Sequence, residues 1–340
     1  MVSGGEVWPT GGWQDVDPGD VGLDAGSLEQ ARDYALKGEG AGMITRGGVR
    51  VLAWGDLAQR FDIKSSTKSI GMMAMGLALK DGLAGLDDLA IDHLADVGLP
   101  PESNAKTGWR ERITLRHLAT HTAGFDKGGT CLEMTFEPGT HWAYSDGGTN
   151  WLADCLTVTV GADLEALLFD RLFSRMGITH EMLLWRENAY REPEIQGIRR
   201  IEFGAGVFTT VDALARIGLL HLRDGQWGSE RLLPEGFSAV VGTPEQSLKG
   251  LPIVNDTQKR YGGVSEHYGH LWWNNGDGVM ANVPPDTYWS WGLHESFIIV
   301  IPSLDIVASR AGKDWPGEQS PSNYVILEPF LEAIAASVKS

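Results

Sequence analysis

The sequence predicts an α+β fold in which segments from both ends of the chain build one antiparallel β-sheet around a mainly helical middle. Strand-like apolar runs occur before residue 64 and again after about Tyr268, whereas the residues between them follow helical periodicity. The chain has 340 residues, 42% of them hydrophobic and 21% charged, which is ordinary for a globular protein with a large core. A cleft between two lobes is the usual place for a small-molecule site.

No internal repeat or low-complexity tract divides the chain. We expect a Gly/Pro-rich surface arm over residues 1–22 and a single domain over residues 23–340. Within that domain, an α/β lobe takes residues 23–64 and 265–340, with helices flanking the sheet. A mainly helical lobe takes residues 65–264.

Capping residues and turn signals set the bounds of the individual elements. The predicted elements up to residue 225 are a helix capped by Ser27 and ending at Gly38, a strand over Val49–Trp54 after a Gly47-Gly48 turn, an extended segment over residues 61–63, a long helix over Ser66–Lys80, a short helix capped by Thr114 and ending at Ala119, a helix capped by Asp163 and ending near Gly177, and a helix started by Thr209 or Thr210 that stops before Gly225. The predicted C-terminal elements are strands over residues 271–273, 297–301 and 306–310 and an amphipathic helix over residues 324–338.

The charge balance excludes several classes of partner. The chain carries 28 basic and 45 acidic side chains, so its formal net charge is 28 − 45 = −17. Such a surface repels phosphate backbones and anionic lipids, so we expect no nucleic-acid binding and no docking on membranes. The longest apolar run, residues 70–79, is far below the ~18 residues of a membrane span. The oligomeric state stays open.

Two further features bear on the compartment. The first residues lack the basic segment and apolar core of a signal peptide. A cytoplasmic location follows if Met1 is native, and a periplasmic or secreted one if a signal segment was removed. Cys131 and Cys155 are too few for a disulfide framework, and they form either one pair or two separate thiols.

The sharpest local motif is Ser65-Ser66-Thr67-Lys68 at the start of the long helix. Side chains three residues apart lie on one helix face, so the lysine amine can reach the Ser65 hydroxyl. A serine needs such a neighbour because its hydroxyl hardly ionises, and a desolvated lysine can take its proton. The helix N-terminus adds N–H groups where an oxyanion would form. The same four-residue pattern would also fit a non-catalytic role, with a serine that caps the helix and a lysine on the surface.

Further segments, in a fixed order, give the motif its context. They are Tyr144-Ser145-Asp146 before a helix beginning near Gly148, residues 113–125 with His121-Thr122-Ala123-Gly124, residues 204–215 from Gly204-Ala205-Gly206 to Asp212-Ala213-Leu214, Tyr268-Gly269 with Trp272-Trp273, and residues 302–307. With these segments the chain resembles the serine β-lactamase and penicillin-binding-protein superfamily, especially its class C-like branch with the family VIII-type esterases. The resemblance spans roughly residues 23–332.

The resemblance implies a role for each matching residue. Ser65 matches the acylated nucleophile, Lys68 its activating neighbour and Tyr144 a second proton-shuttling group. The backbone N–H of Ser65 would be one oxyanion donor. We place the other at Ser296 by counting back from Pro302. Acylation followed by hydrolysis needs no metal and no organic cofactor.

Two departures from the family pattern affect the expected substrate. Asp146 stands where the family usually has Asn; its charge would either favour the protonated form of Lys68 or merely cap the next helix. Leu293 stands where family members that bind penicillins or peptidoglycan stems often carry a cation. This favours neutral esters or amides, although His294 could supply some charge. Trp291 either fills the core or lines an acyl pocket.

Rival sites have weaker sequence support. His117 and His121 have the spacing of zinc ligands, but no Glu follows His117, so the metalloprotease pattern fails. Gly263-Val264-Ser265-Glu266-His267 lacks the final glycine of an α/β-hydrolase elbow. We therefore expect a serine hydrolase, a carboxylesterase acting on small or medium acyl esters. The alternatives are an amidase, a D-amino-acid peptidase or a weak β-lactamase, and, in another class, a non-catalytic penicillin-recognition module.

Overall fold

The structure, a computed structural model, describes residues 7–254, 256, 261, 263–317 and 324–339. Within these residues the helices are α1 (Ala25–Ala35), α2 (Ser66–Lys80), α3 (Ala90–His93), α4 (Leu115–Ala119), α5 (Asp146–Val160), α6 (Leu164–Leu168), α7 (Val211–Leu222), α8 (Phe237–Gly242) and α9 (Glu328–Ala336). The strands are β1 (Ala41–Arg46), β2 (Val49–Trp54), β3 (Phe61–Asp62), β4 (Leu183–Trp185), β5 (Glu194–Ile195), β6 (Ile198–Arg199), β7 (Val207–Thr209), β8 (Gln226–Trp227), β9 (Glu230–Arg231), β10 (Trp273–Asn274), β11 (Tyr288–Trp289), β12 (Phe297–Ile301) and β13 (Ile306–Ala311).

The main sheet joins the two ends of the chain, which confirms the predicted fold class. Its order is β10-β11-β12-β13-β1-β2, and every neighbouring pair is antiparallel. The N-terminal hairpin of β1 and β2 attaches to the last strand, with Ala41 opposite Ala311 and Arg46 opposite Ile306.

Both faces of this sheet are covered, as the sequence of β12 requires. All five residues of β12 are apolar and buried. Because side chains alternate along a strand, Phe297 belongs to the cluster that includes α1 and α9, and Ile298 to the cluster that includes α2 and α7. Helix α7 comes very close to the sheet, since a Cβ atom on Gly218 would lie 2.5 Å from Val307.

Helix α2 is the buried axis of the helical part of the molecule. Every residue from 66 through 78 is buried. A small sheet, β3-β7-β4, lies beside its start. The N–H of Ile63 donates to the carbonyl of Val207 at 3.1 Å, and the N–H of Val207 donates to Thr67 Oγ1 at 3.1 Å. These bonds bring the segment before β7 to the first turn of α2.

Several predicted bounds are confirmed and others are corrected. Strand β2 and helix α2 have the predicted ends, and Thr114, Asp163 and Thr210 cap α4, α6 and α7. The predicted cap at Ser27 is wrong, because Asp24 caps α1 and accepts the Ser27 N–H at 2.8 Å. The capping carboxylate therefore lies three residues before the predicted cap.

At the C-terminal end, the strand predicted over residues 271–273 is shorter and shifted. Leu271 has a positive φ of 59°, so the chain turns there, and β10 begins only at Trp273. The closing helix is also shorter than predicted, because α9 covers Glu328–Ala336. Strands β1 and β11 were not predicted, because their residues lack a clear alternation of polar and apolar side chains.

The N-terminal segment packs on the helical part of the molecule. The ring of Trp8 lies 5.3 Å from that of Trp227. The indole N–H of Trp227 donates to Thr10 Oγ1 at 2.8 Å, and the Thr10 carbonyl accepts from Arg216. Among the helices in the described ranges, none combines the length and the apolar character that a membrane crossing requires.

Candidate active site

The start of α2 leaves the Ser65 hydroxyl available. Ser65 is the N-cap residue, yet it has helical φ and ψ angles and its side chain makes no capping hydrogen bond. Lys64 before it has a positive φ of 51°, so the chain turns sharply into the helix. The hydroxyl of Ser66 donates to the carbonyl of Ser296 at 2.6 Å and joins this helix start to β12. Ser65 is thereby held at the junction of helix and sheet.

Lys68 reaches Ser65 as the i, i+3 spacing predicts. Its ammonium Nζ lies 3.2 Å from Ser65 Oγ, 2.5 Å from Asp146 Oδ1 and 2.7 Å from the carbonyl oxygen of Gly204. The side chain is only 2% exposed. Three acceptors match the three N–H bonds of an ammonium group, so this arrangement fits a charged Lys68 whose proton must leave before it can serve as a base.

Asp146 pairs with Lys68, and it is Ser145 that caps α5. The N–H of Gly148 donates to Ser145 Oγ at 2.8 Å, and the helix begins at Asp146, two residues earlier than predicted. Burial raises the pKa of the Asp146 carboxyl, but Lys68 and Lys127 outweigh burial and leave that pKa below its usual value. Asp146 is thus a carboxylate.

Tyr144 lies over this ion pair within an aromatic wall. The Lys68 ammonium is 4.8 Å from the centroid of the Tyr144 ring. The ring stacks on Tyr261 at 5.2 Å with an interplanar angle of 11°, and it lies 4.6 Å from the ring of His121. Only 8% of Tyr144 is exposed. The predicted trio of Ser65, Lys68 and Tyr144 therefore occupies one place.

The two histidines considered as zinc ligands have separate structural contacts. His117 Nδ1 accepts the N–H of Thr114 in a capping box. His121 Nδ1 accepts the N–H of Ser145, and its Nε2 lies 3.0 Å from the Tyr268 hydroxyl. Burial, together with the positive charges of Lys68 and Lys127, holds the pKa of His121 well below its usual value, so the ring is neutral. No group of three or more metal-binding side chains occurs in the described part of the chain.

The turn between β11 and β12 forms the wall opposite α2. Gly292 and Ser296 pair across it, and the N–H of Ser296 donates to the Gly292 carbonyl at 3.3 Å. Ser296 Oγ donates to the carbonyl of Ile63 at 2.7 Å. A Cβ atom on Gly292 would lie 2.0 Å from that carbonyl and 3.0 Å from the Ser66 N. Ser296 thus anchors the turn to the segment before α2, and Gly292 packs closely against the same segment.

The remaining predicted binding residues lie around this turn. The side chain of His294 is half-exposed, and its Nδ1 lies 2.8 Å from Asp314 Oδ1. Leu293 is 49% exposed. Trp291 is half-buried, with its ring 6.0 Å from that of Trp273.

The sequence does not indicate two further groups of the site. One is the carbonyl of Gly204, which carries no side-chain signal. The other is Lys127, whose ammonium lies 3.3 Å from Asp146 Oδ2 and 4.3 Å from the centroid of the Tyr144 ring. Nothing in the sequence near Lys127 indicates a site, because only the folded loop brings it there. Cys131 and Cys155 are separate free thiols, and burial raises the pKa of Cys155.

A serine and a buried lysine three residues apart at the start of a central helix, beside an antiparallel sheet, define the class of serine hydrolases with the beta-lactamase fold. The sequence matches the beta-lactamase family over residues 28–322, and the chain belongs to that family. An uncharacterized protein of Alkalihalophilus pseudofirmus is 22% identical over 287 residues, which cover 78% of this chain and 77% of that protein.

Solved structures share the fold. A putative beta-lactamase from Bacteroides dorei superposes with a TM-score of 0.70 at 15% identity and covers 93% of this chain and 99% of its own. A family VIII carboxylesterase superposes with a TM-score of 0.65 at 13% identity, and the match covers 92% of this chain and 98% of the carboxylesterase chain. At these identities the similarity shows the fold alone.

Proposed function

We propose that this protein is a carboxylesterase that hydrolyses small or medium neutral acyl esters through an acyl-enzyme on Ser65. The observation that carries the proposal is the 3.2 Å contact between Lys68 Nζ and Ser65 Oγ at the start of a buried helix. A hydroxyl that is not used as a cap, next to a desolvated amine, is the arrangement that nucleophilic catalysis by serine requires.

The proposed reaction has two steps. Ser65 Oγ attacks the acyl carbon while its proton passes to the deprotonated Lys68 or to Tyr144 in its phenolate form. The bond from the acyl carbon to the alcohol oxygen then breaks, and the alcohol leaves with a proton returned by the same group. Water then gives a proton to the same base and attacks the acyl carbon, the bond to Ser65 Oγ breaks, the carboxylic acid leaves, and Ser65 Oγ takes the proton back to restore its hydroxyl. We assign the role of shuttle to Tyr144 from the family resemblance, and its ring lies next to Lys68, with 4.8 Å between the ammonium and the ring centroid.

Two backbone N–H groups would stabilise the oxyanion. The first is that of Ser65 at the positive end of α2. For the second we now propose Leu293, because the N–H of Ser296 is already bonded to Gly292. The N–H of Leu293 follows the glycine that touches the helix start, and it meets no acceptor within the described residues.

The turn between β11 and β12, which faces α2 across the site, supports the preference for neutral substrates. Leu293 replaces a cation with an exposed apolar side chain, and His294 is engaged with Asp314 at 2.8 Å. Tyr261, Trp273 and Trp291 add aromatic surface. Apolar walls favour an uncharged acyl or alcohol group over a carboxylate-bearing one.

The decisive experiment is active-site labelling. We expect a fluorophosphonate to add one adduct to Ser65, found by peptide mass spectrometry, and Ser65→Ala to lose both the adduct and p-nitrophenyl ester hydrolysis. Loss of the nucleophile typically costs several powers of ten in kcat. Ser66→Ala is the matched control, because Ser66 Oγ bonds the Ser296 carbonyl and is not placed to attack.

A panel of p-nitrophenyl esters, D-amino-acid amides and nitrocefin then separates the substrate classes. Faster turnover of amides or nitrocefin than of every ester would contradict the esterase assignment. An unlabelled Ser65 with tight binding of a penicillin would instead favour the non-catalytic recognition module.

A further inference from the structure

Lys127 belongs to a loop that is fixed against the start of α5. The N–H of Asp146 donates to the Lys127 carbonyl at 3.1 Å. Two residues further along the loop, the carbonyl of Gly129 accepts from Asn150 Nδ2 at 3.1 Å. Because the backbone is held on both sides, the side chain of Lys127 extends from a defined position beside the site.

One carboxylate therefore lies between two ammonium groups. Asp146 Oδ1 is 2.5 Å from Lys68 Nζ, and Asp146 Oδ2 is 3.3 Å from Lys127 Nζ. The Tyr144 ring is within 5 Å of both, with centroid distances of 4.8 Å to Lys68 and 4.3 Å to Lys127. The two lysines differ in environment, since the side chain of Lys68 is 2% exposed and that of Lys127 is 54% exposed.

This difference matters when Lys68 gives up its proton. A neutral Lys68 would leave the carboxylate of Asp146, whose side chain is 24% exposed, without its nearest counter-charge, and even a partly buried charge is costly to leave unpaired. Lys127 keeps that carboxylate paired. Its half-exposed ammonium stays hydrated while its charge reaches the carboxylate and the Tyr144 ring.

We infer that Lys127 is a positioning residue for proton transfer: its positive charge allows Lys68 or Tyr144 to release a proton at a pH below the strongly alkaline range. The inference rests on the proposed function, because it concerns how Ser65 is activated. Both possible bases respond in the same direction, since a nearby positive charge favours the neutral form of an amine and the anionic form of a phenol.

Other charged groups face the site and stay the same in the test variants. His121 lies against the Tyr144 ring and is neutral. Glu202, in the segment before β7, pairs with Arg186 at 2.7 Å, and the charge of Glu202 also acts on Asp146. Comparison of variants at Lys127 therefore isolates the effect of that one ammonium.

The test measures the second-order rate of Ser65 phosphonylation by a fluorophosphonate as a function of pH. In this step Ser65 Oγ forms a bond to phosphorus, fluoride leaves, and the hydroxyl proton passes to the site base. We expect Lys127→Met and Lys127→Gln to move the rising limb of the profile to higher pH by about one unit. Lys127→Arg should keep the limb close to that of the wild type.

Lys80→Met is the charge-matched control. It removes the same charge twelve residues further along α2, about 18 Å from Lys68 at 1.5 Å per residue, so its profile should match the wild type. Circular dichroism confirms that each variant is folded.

Three outcomes would overturn the inference. In the first, Ser65 is labelled, but the rising limb of the pH profile is the same in Lys127→Met, Lys127→Gln and the wild type. This result would remove the proposed role of Lys127 and leave the proposed function intact. A higher KM for carboxylate-bearing esters with an unmoved limb would make Lys127 a substrate contact. Absence of a Ser65 adduct in the wild type at every pH would remove the proposed function and this inference together.

Discussion

The carboxylate of Asp146 and the ammonium of Lys68 are 2.5 Å apart; the Lys68 side chain is buried, and that of Asp146 is partly exposed. The family usually has an asparagine amide there, which can donate a hydrogen bond but carries no charge. A carboxylate at this distance accepts a charge-assisted hydrogen bond from the Lys68 ammonium, and the charged forms of the two groups stabilise one another. In the proposed mechanism Lys68 must lose that proton, so the charge at position 146 sets the pH at which Ser65 becomes reactive.

Replacement of Asp146 by asparagine tests this ion pair. Asp146→Asn removes the charge and keeps the shape, so Lys68 should release its proton more readily. We expect the rising limb of the kcat/KM profile for an ester to move to lower pH by about one unit or more. The measurement is a full pH–rate comparison with the wild type. An unmoved limb, or one displaced to higher pH, would show that Asp146 does not control Lys68.

At the scale of elements, the turn between β11 and β12 contains a carboxyl group that folding buries. Glu295 is 1% exposed, and its Oε2 accepts the N–H of Trp315 at 2.8 Å. Burial raises the pKa of Glu295 to about 7, against the opposing effects of that hydrogen bond and of Arg310. Arg310 in turn donates to the Glu295 carbonyl at 3.0 Å, so the turn and β13 are joined.

The raised pKa of Glu295 gives the turn a pH-dependent stability. Between the unfolded value near 4.5 and the folded value of about 7, the folded protein binds more protons than the unfolded chain. The contribution of Glu295 is therefore most favourable below pH 4.5 and is lost as the pH rises through 7, a change on the order of 3 kcal/mol.

Glu295→Gln should remove this dependence, because the amide oxygen can still accept from Trp315 but does not ionise. We expect the free energy of unfolding of the variant, relative to the wild type, to increase between pH 5 and pH 8. Urea denaturation at several pH values measures it. Parallel curves for the two proteins would mean that Glu295 ionises as readily in the folded state as in the unfolded chain.

Local sequence patterns predicted the ends of helices and strands best where a single capping or turn residue determines the end. The cap at Thr210 follows from a side chain that accepts an N–H of its own helix, and the end of α2 at Lys80 follows from the Asp81-Gly82 turn, in which Gly82 has a positive φ of 68°. The predicted cap of α1 was wrong because Asp24 and Ser27 both suit an N-cap position, and only the folded backbone decides between them. The predicted bounds of strand β10 were wrong because the turn at Leu271, which has a positive φ, contains no glycine at that position to indicate it.

At the scale of the whole molecule, the site combines parts of very different predictability. Ser65 and Lys68 share one helical turn, so their 3.2 Å contact follows from spacing. Tyr144 and Asp146 were found only through the family resemblance, since they lie on another element. Lys127 could not be found at all, because its contact with Asp146 depends on how a loop folds over α5.

The long-range charge of the protein leads to a last prediction. The formal net charge is −17, and a globular chain of 340 residues has a radius of gyration of about 20 Å. At 0.01 M salt the Debye length is about 30 Å, so charges repel one another across the whole molecule, whereas at 0.15 M it is about 8 Å. This repulsion destabilises the compact state, and salt should relieve it.

We therefore expect the Tm at pH 7.5 to rise by a few degrees between 0.01 and 0.15 M sodium chloride. Salt also weakens exposed ion pairs such as Lys313 with Glu39, but each of these contributes at most about 1 kcal/mol. The same titration near pH 4.9, where the net charge approaches zero, is the matched control and should show little rise. A Tm that falls with salt at pH 7.5 would mean that the favourable ion pairs outweigh the repulsion among the excess carboxylates, and that the net charge does not limit the stability of this fold.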